Sequence, residues 1–334
     1  MILSVRDLNV SFATDGGVVR AVEGVSFDLD RGEILAIVGE SGSGKSVTAQ
    51  TLLGLTRAPN ATITGSVEFD GNDLTQIDGD ELRAIRGERI AMIFQDPMTS
   101  LNPVYRVGDQ IVEMIRAHRK VSKREALDST VELLRSVGIP NPERRVRDYP
   151  HEFSGGMRQR VMIAMALSLD PDVLIADEPT TALDVTVQAQ ILRLLDRLNR
   201  ERGLAIVLIT HDLGVVAELA DRVAVMYAGQ IVEDASLDDV FYDPQHPYTW
   251  GLLGSLARLD QPTPGRLAQI TGQPPSLLTP PSGCRFAPRC PHVFDKCAQP
   301  PPLADGDRCW LDPEQKRRLR EVDGRIGLRK AVSP

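Results

Sequence analysis

The first 283 of the 334 residues contain no cysteine, and four then fall together at Cys284, Cys290, Cys297 and Cys309. Scattered cysteines would read as small buried apolar residues, and this distribution excludes that reading. Long apolar runs are missing too. None approaches the about 20 residues that a membrane span needs, because the segments Ile163 to Ile175 and Leu204 to Thr210 are too short or are interrupted by charge. Positive charge is also in deficit: 38 Lys and Arg stand against 46 Asp and Glu, a formal net charge of −8. That balance argues against a general affinity for nucleic-acid phosphates. The opening MILSVRDLNVSF carries Arg6 and Asp7 and lacks the apolar core of a signal peptide. A chain on the cytoplasmic side is expected, reaching any membrane only through a partner. Internal repeats and a coiled-coil insertion are absent as well.

What is present is ordinary globular material, 42% hydrophobic and 25% charged, in a length that suggests about two domains. From residue 1 to about 245, strand-like and helix-like segments alternate. The runs Glu33 to Val38, Asp172 to Ala176 and Ala205 to Ile209 are apolar without alternation, as strands buried on both faces of a parallel sheet require. Val187, Ile191, Leu194, Leu195 and Leu198 lie at helical spacing between the last two, giving a βαβ unit. Leu3, Val5, Leu8, Val10 and Phe12, then Val25, Phe27 and Leu29, alternate with polar residues and predict antiparallel strands with one solvated side. Residues from about 98 to 168 read as mainly helical. Beyond Tyr242 the composition changes: 13 of the 23 prolines lie between Pro244 and Pro302. Such density excludes long helices and central strands, so residues 246–334 are expected to form an irregular C-terminal region. The charged segment from Glu314 to Lys330 could be a surface helix, with Lys316, Arg317, Arg318 and Arg320 on one solvated face.

Between the first apolar run and a helix stands Gly39-Glu-Ser-Gly-Ser-Gly-Lys45-Ser46, which fits G-x-x-x-x-G-K-[ST] in the context that motif needs. Its glycines let backbone N–H groups turn onto phosphate oxygens, and the helix start adds partial positive charge. Candidate nucleotide contacts are Gly39, Glu40, Ser41, Gly42, Ser43, Gly44, Lys45, Ser46 and Val47. Lys45 can reach the β- and γ-phosphates of ATP, and Ser46 can ligate Mg²⁺. Asp177 and Glu178 end a strand, where carboxylates of an α/β sheet face the ligand crevice. Asp177 is the expected Mg²⁺ ligand, and Glu178 the residue that orients or deprotonates the attacking water.

Phe153-Ser154-Gly155-Gly156-Met157-Arg158-Gln159-Arg160 resembles the signature of ATP-binding-cassette (ABC) ATPases. The residues alone describe a capped helix start, with Ser154 as cap and two glycines that admit an anion. The resemblance extends in order along the chain. It implies that Phe12 stacks on adenine, that Gln95 contacts Mg²⁺ and links to a transmembrane partner, and that Thr181-Ala-Leu-Asp184 is the D-loop. It makes His211 the switch histidine at the γ-phosphate. The implied fold is an α/β P-loop NTPase cassette: a mixed-sheet core, an antiparallel β subdomain and a helical subdomain at about 98–168, all within 1–245. The implied mechanism packs two cassettes head to tail, the phosphate loop of one and Ser154, Gly155 and Gly156 of the other enclosing each ATP. Catalysis would then rest on Glu178, His211, Gln95 and Lys45.

Phe94-Gln-Asp-Pro-Met-Thr-Ser-Leu-Asn-Pro103, His246-Pro-Tyr-Thr-Trp250, Gly272-Gln-Pro-Pro-Ser-Leu277 and Gly283-Cys-Arg-Phe-Ala-Pro-Arg-Cys290 are similar to the ATP-binding subunits of dipeptide and oligopeptide importers. Nickel and glutathione importers share much of the pattern. The resemblance implies two transmembrane permease subunits, an extracytoplasmic solute-binding protein and a second ABC ATPase subunit, a paralogue rather than another copy. It implies no nucleic-acid partner and a peripheral place on the cytoplasmic face of the inner membrane. An ABC ATPase acting on nucleic acid is the rival class; those machines usually carry coiled coils or a second cassette, and neither is present. The cysteine gaps of five, six and eleven residues are not zinc-ribbon spacing. Four thiolates can ligate a [4Fe–4S] cluster or a zinc ion; without a metal, the cysteines form a reduced knot or a pair of disulfides. The family resemblance makes the cluster plausible, and the proline-rich segment, poor in helices and strands, needs a staple to fold.

Overall fold

Alternating apolar positions set the N-terminal strands, and uninterrupted apolar runs set the central ones. The computed structural model describes residues 1–95, 100–181, 183–255 and 270–322. In chain order its strands are β1 (Leu3–Thr14), β2 (Gly17–Leu29), β3 (Ile34–Val38), β4 (Ala61–Phe69), β5 (Asn72–Asp73), β6 (Ile90–Ile93), β7 (Val173–Asp177), β8 (Ala205–Thr210), β9 (Arg222–Tyr227) and β10 (Gln230–Ser236). The helices begin with α1 (Lys45–Leu52), α2 (Gly79–Ile85), α3 (Val107–His118), α4 (Lys123–Ser136), α5 (Pro142–Arg145) and α6 (Gly155–Ala166). They continue with α7 (Val185–Arg202), α8 (Leu213–Leu219), α9 (Leu237–Tyr242), α10 (Pro247–Gly254) and α11 (Pro313–Val322). Packing groups the described residues into two units. One draws on 1–2, 29–34 and 76–209, the other on 3–28, 35–75 and 210–334.

In the first unit β6, β7 and β8 run parallel, with Ile93 opposite Ala176 and Asp177 opposite Ile209. Every residue of β7 and β8 is buried, the condition their unbroken apolar runs predict. Helices α3 to α6 fill most of the stretch expected to be helical, while its residues 98 and 99 lie outside the described residues. Local sequence sets their ends. Ser122 and Glu125 form a reciprocal capping box at the start of α4. Ile191, Leu194, Leu195 and Leu198 form one buried face of α7, which stops at Gly203, where φ is 65°.

The second unit contains a four-stranded sheet in the order β2-β1-β4-β5, with β1 antiparallel to β4. Along β1 the fully buried side chains change parity, from Leu3 and Val5 to Leu8 and Val10. The register breaks between Arg6 and Asn9, and Asp7 takes φ 44°, so a bulge brings both sets onto one face. Separately, β3 pairs parallel with β9, and β9 antiparallel with β10. One apolar cluster joins Val38, Val225 and Tyr227 of these strands to Tyr248 and Leu253 of α10 and to Phe286 further on. The proline-rich segment thus shares a core with the strands before it. Its own backbone is irregular, as the proline density requires: among the described residues from 270 to 312 the helical turns are those at Ala287–Arg289 and Asp295–Ala298.

The charged face expected on α11 is corrected by the structure. Arg317 and Arg318 are exposed, but Lys316 and Arg320, one helical turn apart, face inward. Lys316 Nζ donates to Asp307 at 2.6 Å with side-chain exposures of 5% and 6%, and Arg320 donates to the Pro244 carbonyl at 2.7 Å and to Asp243. Their apolar stems fill space that the segment has few apolar side chains to fill, while their heads find partners. Residues 323–330 of the expected tail helix lie outside the described residues. Among those described, no helix is long and apolar enough to cross a membrane.

Candidate functional site

Gly39 to Ser46 connect β3 to α1, the strand–loop–helix order that the motif demands. Strand register decides where glycine is obligatory. Val38 lies opposite Val225, so the next residue, Gly39, passes Met226, whose carbonyl oxygen stands 2.0 Å from the place of a Cβ. Gly44 has φ 103°, and a Cβ there would come within 2.4 Å of the Ala21 carbonyl. Side chains at either place would collide with main chain, so the tight path of the loop depends on both. Lys45 is 6% exposed and its Nζ donates to the carbonyls of Gly39 and Glu40 at 2.7 and 2.9 Å. Ser43 Oγ is buried with no hydrogen-bond partner among the described residues, an unsatisfied hydroxyl inside the candidate phosphate loop. In the same unit Phe12 is half-buried on β1 opposite Ala61. His211 is exposed after β8, and the neighbouring Asp212 caps α8 by accepting from Gly214 N at 2.8 Å.

The first unit assembles a carboxylate group of its own. With Ile93 opposite Ala176, the residues two places further on, Gln95 and Glu178, leave neighbouring parallel strands side by side. Gln95 Nε2 donates to Glu178 Oε2 at 3.0 Å, and Thr181 Oγ1 donates to the same oxygen at 2.8 Å. The Glu178 backbone is left-handed, φ 50°, with its N–H donating to the Ile209 carbonyl at 2.8 Å. A non-glycine residue held there is strained, and such strain collects at functional positions. Asp177, the last residue of β7, is 3% exposed. A carboxylate oriented by two donors beside a second, buried carboxylate can hold a metal-bound nucleotide and take a proton from water.

Ser154 caps α6, accepting from Met157 N at 3.3 Å, and Asp184 caps α7, accepting from Val187 N at 3.0 Å. Ser154 and Gly155 are exposed, so the start of α6 faces outward. Gly156 has a packing reason beyond anion approach: a Cβ there would stand 2.4 Å from Val187 Cγ1 on α7. Ala182 of the expected D-loop, and Asp96, Pro97, Met98 and Thr99 of the Phe94–Pro103 segment, lie outside the described residues.

The four cysteines gather in the second unit as free thiols lining one cavity with His246, His292 and Phe286. Burial raises the thiols of Cys290 to about 12 and Cys309 to about 11, and raises Cys284 as well. Among the described residues no three His, Cys, Asp or Glu side chains are grouped so as to hold a single metal ion.

Sequence reading did not find Arg289 and Tyr248, which both hold Glu40 of the phosphate loop. Their separations from it are 249 and 208 positions, and no local pattern carries such a contact.

A family model described as ABC transporter matches residues 22–181, and one described as oligopeptide/dipeptide transporter, C-terminal region, matches residues 232–297. The chain is 54% identical over 321 residues to the dipeptide transport ATP-binding protein DppD of Bacillus subtilis, covering 94% of this chain and 96% of the relative. The oligopeptide transport ATP-binding protein OppD of the same organism is 56% identical over 317 residues, 93% of this chain and 88% of the relative. OppD of Salmonella typhimurium is 55% identical over 303 residues, 91% and 90% of the two chains. Among solved structures, the dimeric form of a bacterial ABC transporter cassette superposes with TM-score 0.64 at 28% identity, covering 71% of this chain and 99% of the other.

Proposed function

The chain belongs to the family of ABC transporter ATP-binding subunits, and from that premise we propose that it hydrolyses ATP to drive uptake of dipeptides or oligopeptides across the cytoplasmic membrane. The observation that carries the peptide reading is the C-terminal region. Similarity to peptide-transport subunits runs through nearly the whole chain, and the match at residues 232–297 lies outside the general cassette.

The chemistry follows from the side chains. Lys45 and backbone amides of the loop from Gly39 to Ser46, that of Glu40 apart, bind phosphate oxygens, and the unsatisfied hydroxyl of Ser43 suits another acceptor there. Ser46, Asp177 and Gln95 offer hydroxyl, carboxylate and amide oxygens, the hard donors that Mg²⁺ takes, and Mg²⁺ when bound neutralises developing phosphate charge. Glu178, fixed by Gln95 and Thr181, orients water and accepts its proton. His211 serves the γ-phosphate, and Phe12 stacks on the base. The exposed start of α6 at Ser154, Gly155 and Gly156 meets the nucleotide of a second cassette, as a dimeric cassette relative supports, and that second cassette is a paralogue of this chain. Asp184 belongs to the same meeting surface. Two permease subunits and an external binding protein complete the importer, and the protein sits peripherally on the cytoplasmic face. Residues 1–245 form the nucleotide-binding domain, with its helical subdomain at about 98–168, and residues 246–334 the transporter-specific C-terminal domain.

The four-cysteine cavity offers four soft sulfurs on a largely apolar lining, a donor set that a [4Fe–4S] group takes, with zinc or a metal-free state as the alternatives. Such a [4Fe–4S] group would supply a cross-link for an irregular segment. Visible absorbance of anaerobically purified protein, lost when all four cysteines are replaced by serine, tests this; colourless wild-type protein counts against it.

The function is tested with the purified chain, its partner subunits and Mg²⁺. Glu178→Gln should retain ATP yet lose turnover by about 10²-fold or more. Wild-type phosphate release from that variant would remove Glu178 from its role. In reconstituted vesicles, peptide-dependent ATP hydrolysis is expected, and stimulation by nickel or glutathione alone would overturn the peptide assignment.

A further inference from the structure

Glu40 is an awkward residue for a phosphate loop. It puts a carboxylate one position after Gly39, where a triphosphate would be approached by negative charge. The structure answers that charge from far along the chain. Arg289 Nη1 and Nη2 donate to the two oxygens of Glu40 at 2.6 and 3.0 Å, a two-pronged pair with the guanidinium side chain 4% exposed and the carboxylate 27% exposed. The rest of the guanidinium is committed too: Nε donates to the Thr271 carbonyl at 3.0 Å, Nη2 to the Ile270 carbonyl and Nη1 to Tyr227 Oη, both at 3.3 Å. All five donors therefore have acceptors, which fixes the plane of the fork. Tyr248, fully buried, adds a second hold, its Oη accepting from Glu40 N at 2.9 Å.

We infer that Arg289 and Tyr248 are positioning residues for ATP, Arg289 neutralising and turning aside the Glu40 carboxylate while Tyr248 fixes the Glu40 amide in the phosphate loop. This rests on the reading of residues 39 to 46 as that loop. Removing Arg289 leaves an unpaired carboxylate beside the polyphosphate, a repulsion that neutralising Glu40 would cancel. A purely structural ion pair would instead show its loss and its rescue in thermal melting, with the ATP affinity of the folded Arg289 variant unchanged.

The test measures affinity for a fluorescent ATP analogue with full-length chain, alongside thermal melting so that binding is compared only where each variant is folded. Arg289→Met should weaken binding about tenfold, and adding Glu40→Gln to it should restore most of that loss. Tyr248→Phe, which keeps volume and packing, should weaken binding about fivefold, the worth of one neutral hydrogen bond. It also keeps the proposal testable should Arg289→Met fail to fold. Wild-type affinity in Arg289→Met and Tyr248→Phe, or a double variant as weak as Arg289→Met, overturns the proposal. Lys45→Ala is the separate control: if it binds the analogue as wild type does, the phosphate-loop reading fails, whatever the clamp variants show.

Discussion

A methyl group on Gly156 would stand 2.4 Å from Val187 Cγ1, so α6 can approach α7 at that point only because the side chain is missing. Gly156→Ala should therefore destabilise the fold by about 1–3 kcal/mol through overpacking. Adding Val187→Ala should recover much of the loss in thermal melts; a double variant as unstable as the single would place the cause elsewhere. Lys316 makes a different case. Its ion pair with Asp307 is almost wholly buried, so Lys316→Met strands a carboxylate and should cost about 3–5 kcal/mol. Lys316→Met with Asp307→Leu should regain most of this in denaturant titrations, because both charges go together. At this scale the local geometry of the motif residues was legible: Lys45 and Ser46 open the helix after a strand and loop, Asp177 ends a strand, and Ser154 caps a helix, as their patterns predict. The inward turn of Lys316 was not legible, since charge alone predicts a solvated face and the partner Asp307 precedes the helix in an irregular segment.

Helix α10 begins at His246, whose Nδ1 accepts from Tyr248 N at 3.1 Å, while Glu233 accepts from Gln245 N and His246 N at 2.6 and 2.9 Å. Burial, aided by Lys316, lowers His246 to about 3, and burial raises Glu233 to about 7. An unfolded histidine takes its proton near pH 6.5 and the folded one only near pH 3, so the stability neutral His246 contributes is complete above 6.5 and drains as pH falls toward 3. Glu233 works the other way, its contribution falling as pH rises from 4.5 to about 7. His246→Asn keeps a capping acceptor but has no proton to take up. Its melting temperature should gain on wild type as pH falls from about 7 to about 5, a comparison at equal pH that cancels the Glu233 effect. A constant difference between the two melting curves would contradict the buried neutral cap. The elements themselves were readable from periodicity, and even the bulge in β1 leaves a trace in the shift from odd to even apolar positions after Val5. What periodicity does not report is the company an element keeps, as the separation of 208 residues between Tyr248 and Glu40 shows.

Arginines bind the C-terminal region to the earlier chain. Arg285 pairs with Glu23 at 2.7 Å and donates to the Ala228 carbonyl, and Arg308 donates to the carbonyls of Ile231 at 2.8 Å and Gly24 at 3.3 Å. Phe286 packs edge-on against Tyr227 with ring centroids 5.3 Å apart. Cutting the chain before residue 246 should therefore not release a stable cassette. It should expose the apolar cluster around Tyr227, to be seen as loss of soluble protein or a lower melting temperature; an intact, equally stable remainder would show that the shared core is dispensable. Composition announced the irregular backbone described from 270 to 312, but proline density and cysteine gaps gave no sign that it completes a core begun by β3 and β9. The same contacts bear on how the protein is made. The segment from residue 3 to 75 leaves the ribosome long before Arg285 and Arg308 exist. At about 5–20 residues per second it waits on the order of tens of seconds for its final neighbours, so nascent chains are the stage at which this protein has most need of a chaperone.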